Sequence, residues 1–427
     1  MPKVPLLAEK IFVVLGLFLS TTALIPVLLS GNDPSGTAAD PISPILFTSI
    51  YTVTIVLVAF NWKSFVYVAQ KDFFIWLLVG IAVASILWTQ LPDITPRRSM
   101  LLLGTTTFGV YLAVRYSLRE QLQLVACALG LVIALSFVFA IFLPSYGQMT
   151  AQEGGIHAGA WRGVIPHKNL LGRLMAFSSM VFLLTAIANP MRDLKYRWLT
   201  WSGYVLSIVL VILSTSKTAL VVSLVLLMIM PLYRAWRRQY SFLIPFMIAF
   251  VLIVGSATTL FIDNLDAIAG ALGRDLTLTG RTEIWAAMLE LISQRPWGGY
   301  GFNAFWQGWD AQTSAYMWRV LGWECPYGHN GFMDLLSELG ISGLGVFILS
   351  FLTTYVRGVN WLRAVPTPEG LWPLMYLTYL LIYNISESTL LASNSIFWIV
   401  YVSTIFSMAL ESEQIKMFIR TSAFAQE

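Results

Sequence analysis

The sequence predicts an all-α polytopic membrane protein with about twelve transmembrane helices, and three observations carry that prediction. Of 427 residues, 57% are hydrophobic and only 11% are charged, against about 25% charged in ordinary soluble domains. So few charges could not cover a globular surface, which excludes a soluble enzyme. The charges also cluster, leaving apolar runs of roughly 20 residues, enough for a helix to cross a bilayer. Finally, 16 Trp and 17 Tyr suit a chain with two membrane interfaces to anchor.

The expected spans are 10–30, 43–60, 73–91, 99–116, 121–143, 169–188, 197–214, 218–232, 242–262, 330–355, 371–386 and 394–411. Turn signals separate them: Asn32-Asp33-Pro34, Pro92 to Pro96, Pro144-Ser145-Tyr146-Gly147 and Pro366 to Pro368. Lys3 and Lys10 precede the first apolar run, which is long for a signal peptide and lacks an A-x-A site, so it reads as a retained span. There is no sequence repeat. The whole chain, 1–427, reads as one bundle with an embedded outer loop region over 263–329, between spans nine and ten. Cys127 is expected inside a span and buried, and Cys325 exposed in a loop, which predicts no disulfide between them.

Lys and Arg set the orientation. With both termini cytoplasmic, sixteen fall on that side and nine on the other, four of them in one long loop where the rule has little force. The net charge of +4 is no evidence of nucleic-acid binding. This arrangement puts 144–168, 263–329 and the tight turn Ser214-Thr215-Ser216-Lys217 on the outer face, together with His157, His167 and His329.

The long loop carries its own helix signal. Ile284, Met288, Leu291 and Ile292 follow an amphipathic spacing, Gly280 and Thr282 mark a start, and Pro296 with Gly298-Gly299 marks a stop. Arg281 therefore lies at a helix N-terminus, where free N–H groups and a guanidinium favour an anion; on spacing alone a surface arginine near a loop helix is the plainer reading. Six Trp fall within the 39 residues from Trp285 to Trp323. Such rings stack on sugar faces or rest at the membrane interface.

His329 opens span ten, and Asp334 and Glu338 follow it on one helix face. Two carboxylates in a span are costly in lipid and should face the bundle interior or water. His329 at the mouth of that face could serve as a general base or a hydrogen-bond donor. An interfacial histidine with a structural ion pair fits the same residues equally. Lys217, at a turn of a few residues, is either a snorkelling lysine or a fixed cation at the bundle mouth. Arg162, His167 and Lys168 form a second concentration of positive charge, with Arg173 one or two turns deeper. Metal-binding spacings are absent, as is a G-x-x-x-x-G-K-[ST] loop. Were a metal required, Asp334, Glu338 and Glu387 would be the candidate ligands.

Four segments resemble the Wzy-type O-antigen ligase and polymerase superfamily, and within it the ExoQ-like exopolysaccharide polymerases. They are Arg162-Gly163-x-x-x-His167-Lys168-Asn169-x-x-Gly172, Ser214-Thr215-Ser216-Lys217-Thr218, Thr279-Gly280-Arg281-Thr282-Glu283-Ile284-Trp285, and His329-Asn330-Gly331 running on through Glu338-Leu339-Gly340-Ile341-Ser342-Gly343. The resemblance covers about residues 100–410. It implies cofactor-free, metal-independent glycosyl transfer at the outer face of a bacterial inner membrane. The donor would be an undecaprenyl-diphosphate-linked oligosaccharide, passed to a glycan acceptor, with a flippase and a chain-length regulator as possible partners. Carried over residue by residue, His329, Arg281 and Lys217 would be catalytic. Arg162, His167, Lys168, Glu338 and Trp285 would bind substrate, with Glu338 holding or tuning His329. Many ligases carry an arginine where this chain has Lys217, so the departure leans toward the polymerase branch. Transfer to lipid A core or protein stays open as a variant, and a transporter of a small anion or lipid-linked glycan stays open as a different class. Against a transporter stand the cations gathered on one face and the lack of any visible inverted repeat or broken helices.

Overall fold

The computed structural model describes residues 6–25, 42–151, 155–188, 194–238 and 281–424. Within them the chain is helical: α1 Leu6–Leu19, α2 Ile42–Phe60, α3 Trp62–Ala69, α4 Phe73–Ala84, α5 Thr95–Arg115, α6 Leu118–Phe142, α7 Lys168–Ala188, α8 Leu194–Leu213, α9 Lys217–Arg238, α10 Arg281–Gln294, α11 Gln312–Leu321, α12 Gly331–Ala364, α13 Trp372–Asn384 and α14 Ile396–Phe424. Seven of these are long and apolar enough to cross a membrane, or eight if α3 and the helix from Phe73 to Leu87, bent by 93° at their junction, count as one span. The expected span 242–262 and loop residues 263–280 lie outside the described residues.

Local chemistry starts and stops the helices. Ser117 and Glu120 form a reciprocal capping box at the head of α6. Asp72 caps α4 by accepting the Ile75 N–H, and its other oxygen pairs with Arg357 at 2.6 Å. That bond ties α4 to α12 where α3 turns away. The helix α1 stops at Leu19 instead of running on toward residue 30: Thr22 and Leu24 have positive φ angles of 65° and 63°. The turn docks on its neighbours, Leu24 N–H donating to Val164 O and Ile396 N–H to Ser20 O.

The bundle is built around α7. Its membrane-length stretch is 78% buried, and it packs against α6, α8 and α9. Phe177 of α7 sits among Trp372, Tyr376, Tyr379 and Phe397, with ring centroids 5.4–6.1 Å away. These aromatic contacts lock α7 to α13 and α14. The helix α14 in turn lies along α5, and α12 along α4 and α13.

Two sequence expectations are corrected. Span ten is not one straight helix. Gly340 inside α12 has φ 65° and ψ −167°, and a Cβ there would collide with the Trp297 carbonyl. Only glycine meets both demands. The backbone groups freed by the break are taken up by the preceding loop: Tyr300 N–H bonds Ser337 O, Gly301 N–H bonds Glu338 O, and Ile341 N–H bonds Pro296 O. The two cysteines also exchange their expected environments. Cys127 is exposed on the outside of α6, the side a bilayer would cover, and Cys325 is buried among loop side chains; both are free thiols.

The amphipathic loop helix forms as α10, with Ile284, Met288, Leu291 and Ile292 buried. They make a small second core with Tyr300, Phe305, Met317 and Cys325. Its role is to hold the segment leading into His329.

Candidate functional site

Four hydrogen bonds hold the approach to α12. Trp285 of α10 donates its indole N–H to Gly328 O at 2.8 Å. Gly328 N–H donates to Asp334 Oδ1 at 3.0 Å, and Trp306 Nε1 donates to the same oxygen at 2.8 Å. The Ser388 hydroxyl donates to Asp334 Oδ2. Asp334 is thus buried but fully satisfied, a knot joining two loops to the first turn of α12. Asn330 caps α12, its side-chain oxygen accepting from Phe332 and Met333 N–H. Its amide reaches Ile385 O at 3.2 Å, and Gly331 N–H bonds Glu387 O at 3.0 Å. Residues 328–331 therefore lie alongside 385–388, and between these anchors His329 is held at φ 50°, a left-handed conformation uncommon outside glycine.

That backbone turns His329 toward a buried carboxylate. Glu387 is 2% exposed and accepts the Tyr327 hydroxyl at 2.8 Å. Arg281 Nη2 stands 3.8 Å from Glu387 Oε1, and His329 Nδ1 stands 3.9 Å from Oε2. The rings of Tyr327 and His329 are 4.2 Å apart. Burial, and then the nearby Arg281 charge, push the His329 pKa down to about 4. The imidazole is therefore neutral near pH 7, and its buried Nδ1 has no hydrogen-bond partner among the described residues. Burial and the Glu387 charge push the Tyr327 phenol up, so it stays a donor.

A second set of cations approaches from α7. Lys168 is buried and its Nζ donates to Thr215 Oγ1 at 3.1 Å. His167 Nδ1 accepts the Asn169 N–H at the head of α7. Burial and Lys168 lower its pKa, while the Glu387 charge works in the opposite direction, which sets His167 within the field of that carboxylate. Gly172 permits the approach of the turn before α9: a Cβ there would lie 2.6 Å from that of Ser216. Arg173 Nη1 donates to Ser388 O at 3.3 Å, and its guanidinium lies 5.1 Å over the Phe397 ring. The charges of Arg173, Glu387 and Arg281 all act on the Tyr383 hydroxyl.

The structure brings together Arg281 and His329, which share Glu387, with Trp285 bracing the loop beside them. His167 lies within the field of Glu387, and Lys168 follows it at the head of α7, bonded to Thr215. Lys217 stands exposed as the first residue of α9, next to that turn, and forms no ion pair among the described residues. Arg162 reaches back into its own loop, donating to Tyr146 O at 2.7 Å and Ser145 O at 3.3 Å. Glu338 does not accompany His329. It accepts a hydrogen bond from the Asn303 backbone and lies in the field of Arg98. Being nine residues on, it projects from the far end of the half-helix that closes at Gly340, while the group beside His329 is Glu387. Sequence reasoning held Glu387 only as a spare metal ligand. Its signal was an acidic residue in the polar run Asn384-Ile385-Ser386-Glu387-Ser388 at an apolar span end. Among the described residues no three His, Cys, Asp or Glu side chains cluster as a metal would need.

The helices and this charged cluster, set where α7, α9, α10 and α12 begin and α13 ends, define a polytopic membrane protein with a polar site at one end of its bundle. The model of the O-antigen ligase family matches residues 202–348, a stretch containing Lys217, Arg281 and His329. The exopolysaccharide production protein ExoQ of Rhizobium meliloti (strain 1021) is 30% identical over 104 residues, covering 24% of this chain and 24% of that protein, so the aligned stretch spans about a quarter of the relative's length. These partial matches agree with the O-antigen ligase and exopolysaccharide resemblance carried by the four sequence segments.

Proposed function

We propose that this protein joins undecaprenyl-diphosphate-linked oligosaccharide repeat units into a surface polysaccharide, by inverting glycosyl transfer without a metal. The carrying observation is the convergence of Arg281 and His329 within 4 Å of one buried carboxylate, inside the region matched by the O-antigen ligase family. A diphosphate leaves readily once its charge is stabilised, and fixed guanidinium and ammonium groups can stabilise it by preorganised electrostatics. In this reading Arg281 meets the diphosphate from the head of α10, and Lys217 and Lys168 add charge from the neighbouring helix starts. Neutral His329 receives the acceptor hydroxyl and takes its proton as the oxygen bonds the anomeric carbon. Arg162, His167 and Trp285 line the approaches. The site faces the periplasm or exterior, with both termini in the cytoplasm.

Purified protein in liposomes, given one defined lipid-diphosphate oligosaccharide, tests the reading. A ladder of lengthening glycans with inverted anomeric configuration supports a polymerase. A single transfer to added lipid A core and no ladder replaces it with a ligase. Glycan crossing the liposome membrane with no new bond formed would make the protein a transporter; the helix break at Gly340 is the feature that makes this arm worth running.

A further inference from the structure

Resting on that reading, we infer that Glu387 is a positioning residue for His329: its carboxylate holds the imidazole with Nδ1 protonated and Nε2 as the bare nitrogen that meets the acceptor hydroxyl. The carboxylate is fixed from both sides. Its own N–H bonds Tyr383 O at the end of α13, and its carbonyl accepts Gly331 N–H, two residues past His329. Next to it, Ser388 is tied to Asp334. One carboxylate oxygen takes the Tyr327 hydroxyl and faces His329 Nδ1 at 3.9 Å.

Electrostatics then selects the tautomer. A bare Nδ1 would aim a lone pair at a carboxylate, whereas an N–H there is attracted. Nδ1 is buried with no other partner among the described residues, while the histidine side chain as a whole keeps 20% exposure. The open side of the ring therefore carries Nε2. Arg281 faces the cluster from α10, Tyr327 from the preceding loop, Arg173 from α7, and His167 lies in the field of Glu387.

The acceptor O–H bond breaks and its proton moves to Nε2. The oxygen forms the new bond to the anomeric carbon, and the bond to the diphosphate breaks with its electron pair passing to the leaving phosphate oxygen. The imidazolium so formed has Nδ1–H toward Glu387, and a closing movement of about 1 Å makes a charge-assisted hydrogen bond. Orienting a histidine by a buried acid is the arrangement that serves hydrolytic triads. The competing role is a counter-ion for Arg281 alone.

The experiment pairs kinetics with ¹⁵N-histidine NMR on the full chain in bilayers. Three histidines make the spectrum tractable, and His329→Gln identifies the resonance. The wild type is expected in the Nδ1–H form at pH 7. Glu387→Gln keeps an acceptor for Tyr327 but offers an amide that can donate to Nδ1, so the tautomer should move toward Nε2–H. Turnover should fall about 100-fold with donor KM changed less than about threefold. Glu387→Asp should recover part of the rate. A wild-type His329 in the Nε2–H form overturns the inference without any variant. So does a Glu387→Gln protein with wild-type turnover and tautomer and a lowered donor KM, the mark of a counter-ion to Arg281. Should the wild type make no glycan product, the functional reading fails, while the tautomer still decides whether Glu387 positions this histidine.

Discussion

Replacing Arg281 with alanine removes one positive charge from the mouth of the site and little else. The side chain is 21% exposed, begins α10, and meets Glu387 at 3.8 Å, beyond hydrogen-bond length. Glu387 keeps its bond from Tyr327, so the fold should survive. Unit charges about 4 Å apart attract by about 4 kcal/mol at an effective dielectric of about 20. A diphosphate accepting a fork of N–H bonds gains a comparable amount, and more as the bond to the sugar breaks. Loss of one such donor typically slows a reaction about 100- to 1,000-fold, equivalent to about 3–4 kcal/mol. We expect Arg281→Ala to lower kcat/KM by that amount in the liposome assay, with normal abundance in the membrane, and Arg281→Lys to fall between. The His329 pKa should rise at the same time, since Arg281 is one of the two influences that lower it. An Arg281→Ala protein within about threefold of wild-type kcat/KM would rule out this role for Arg281.

Three further outcomes follow from particular contacts. The lowered His329 pKa means that the unfolded chain gains a proton near pH 6.5 that the folded chain refuses until about pH 4. Stability should therefore be complete above pH 6.5 and decline as pH falls toward 4, by about 3 kcal/mol, and thermal melting of His329→Gln should lack that part of the decline. Gly340→Ala forces a side chain into a left-handed position against the Trp297 carbonyl; a loss of roughly 1–3 kcal/mol is expected from backbone strain, read as a lower melting temperature in detergent, and an unchanged melting temperature would contradict the break at Gly340. Activity should persist in EDTA, because fixed cations can take the part of a metal at the diphosphate; abolition by chelator with recovery in Mg²⁺ or Mn²⁺ would demote Arg281 and Lys217 and bring Asp334 and Glu387 forward as ligands.

Which parts were legible in sequence follows from the range of the forces involved. The periodicity of Ile284, Met288, Leu291 and Ile292 is local, and it located α10 without help from the rest of the chain. Gly172 is a motif residue whose reason appears only in three dimensions, where Ser216 leaves no room for a Cβ. The break at Gly340 was hidden because a glycine in an apolar run reads as helix until a partner loop, here 296–301, arrives to take its freed backbone groups. Glu387 was hidden for a related reason: it meets Tyr327 across 60 residues of chain, and no spacing rule reaches so far. Glu338 stands at helical spacing from Asp334, and local periodicity therefore favours it over the distant Glu387 as a companion for His329. Cys127 is exposed because a membrane bundle turns apolar side chains outward, so a position within a span does not mean burial in protein, and Cys325 is buried because its loop packs a small core of its own.

The catalytic role of His329 is measured by glycan release and bond formation by the wild-type and His329→Gln proteins side by side. Both would be purified, reconstituted in liposomes with EDTA, and supplied with one undecaprenyl-diphosphate oligosaccharide. A ladder and stoichiometric free undecaprenyl diphosphate are expected from the wild type, and neither from His329→Gln at equal protein. Equal ladders from both proteins, or none from the wild type with competent donor and acceptor, would contradict that role.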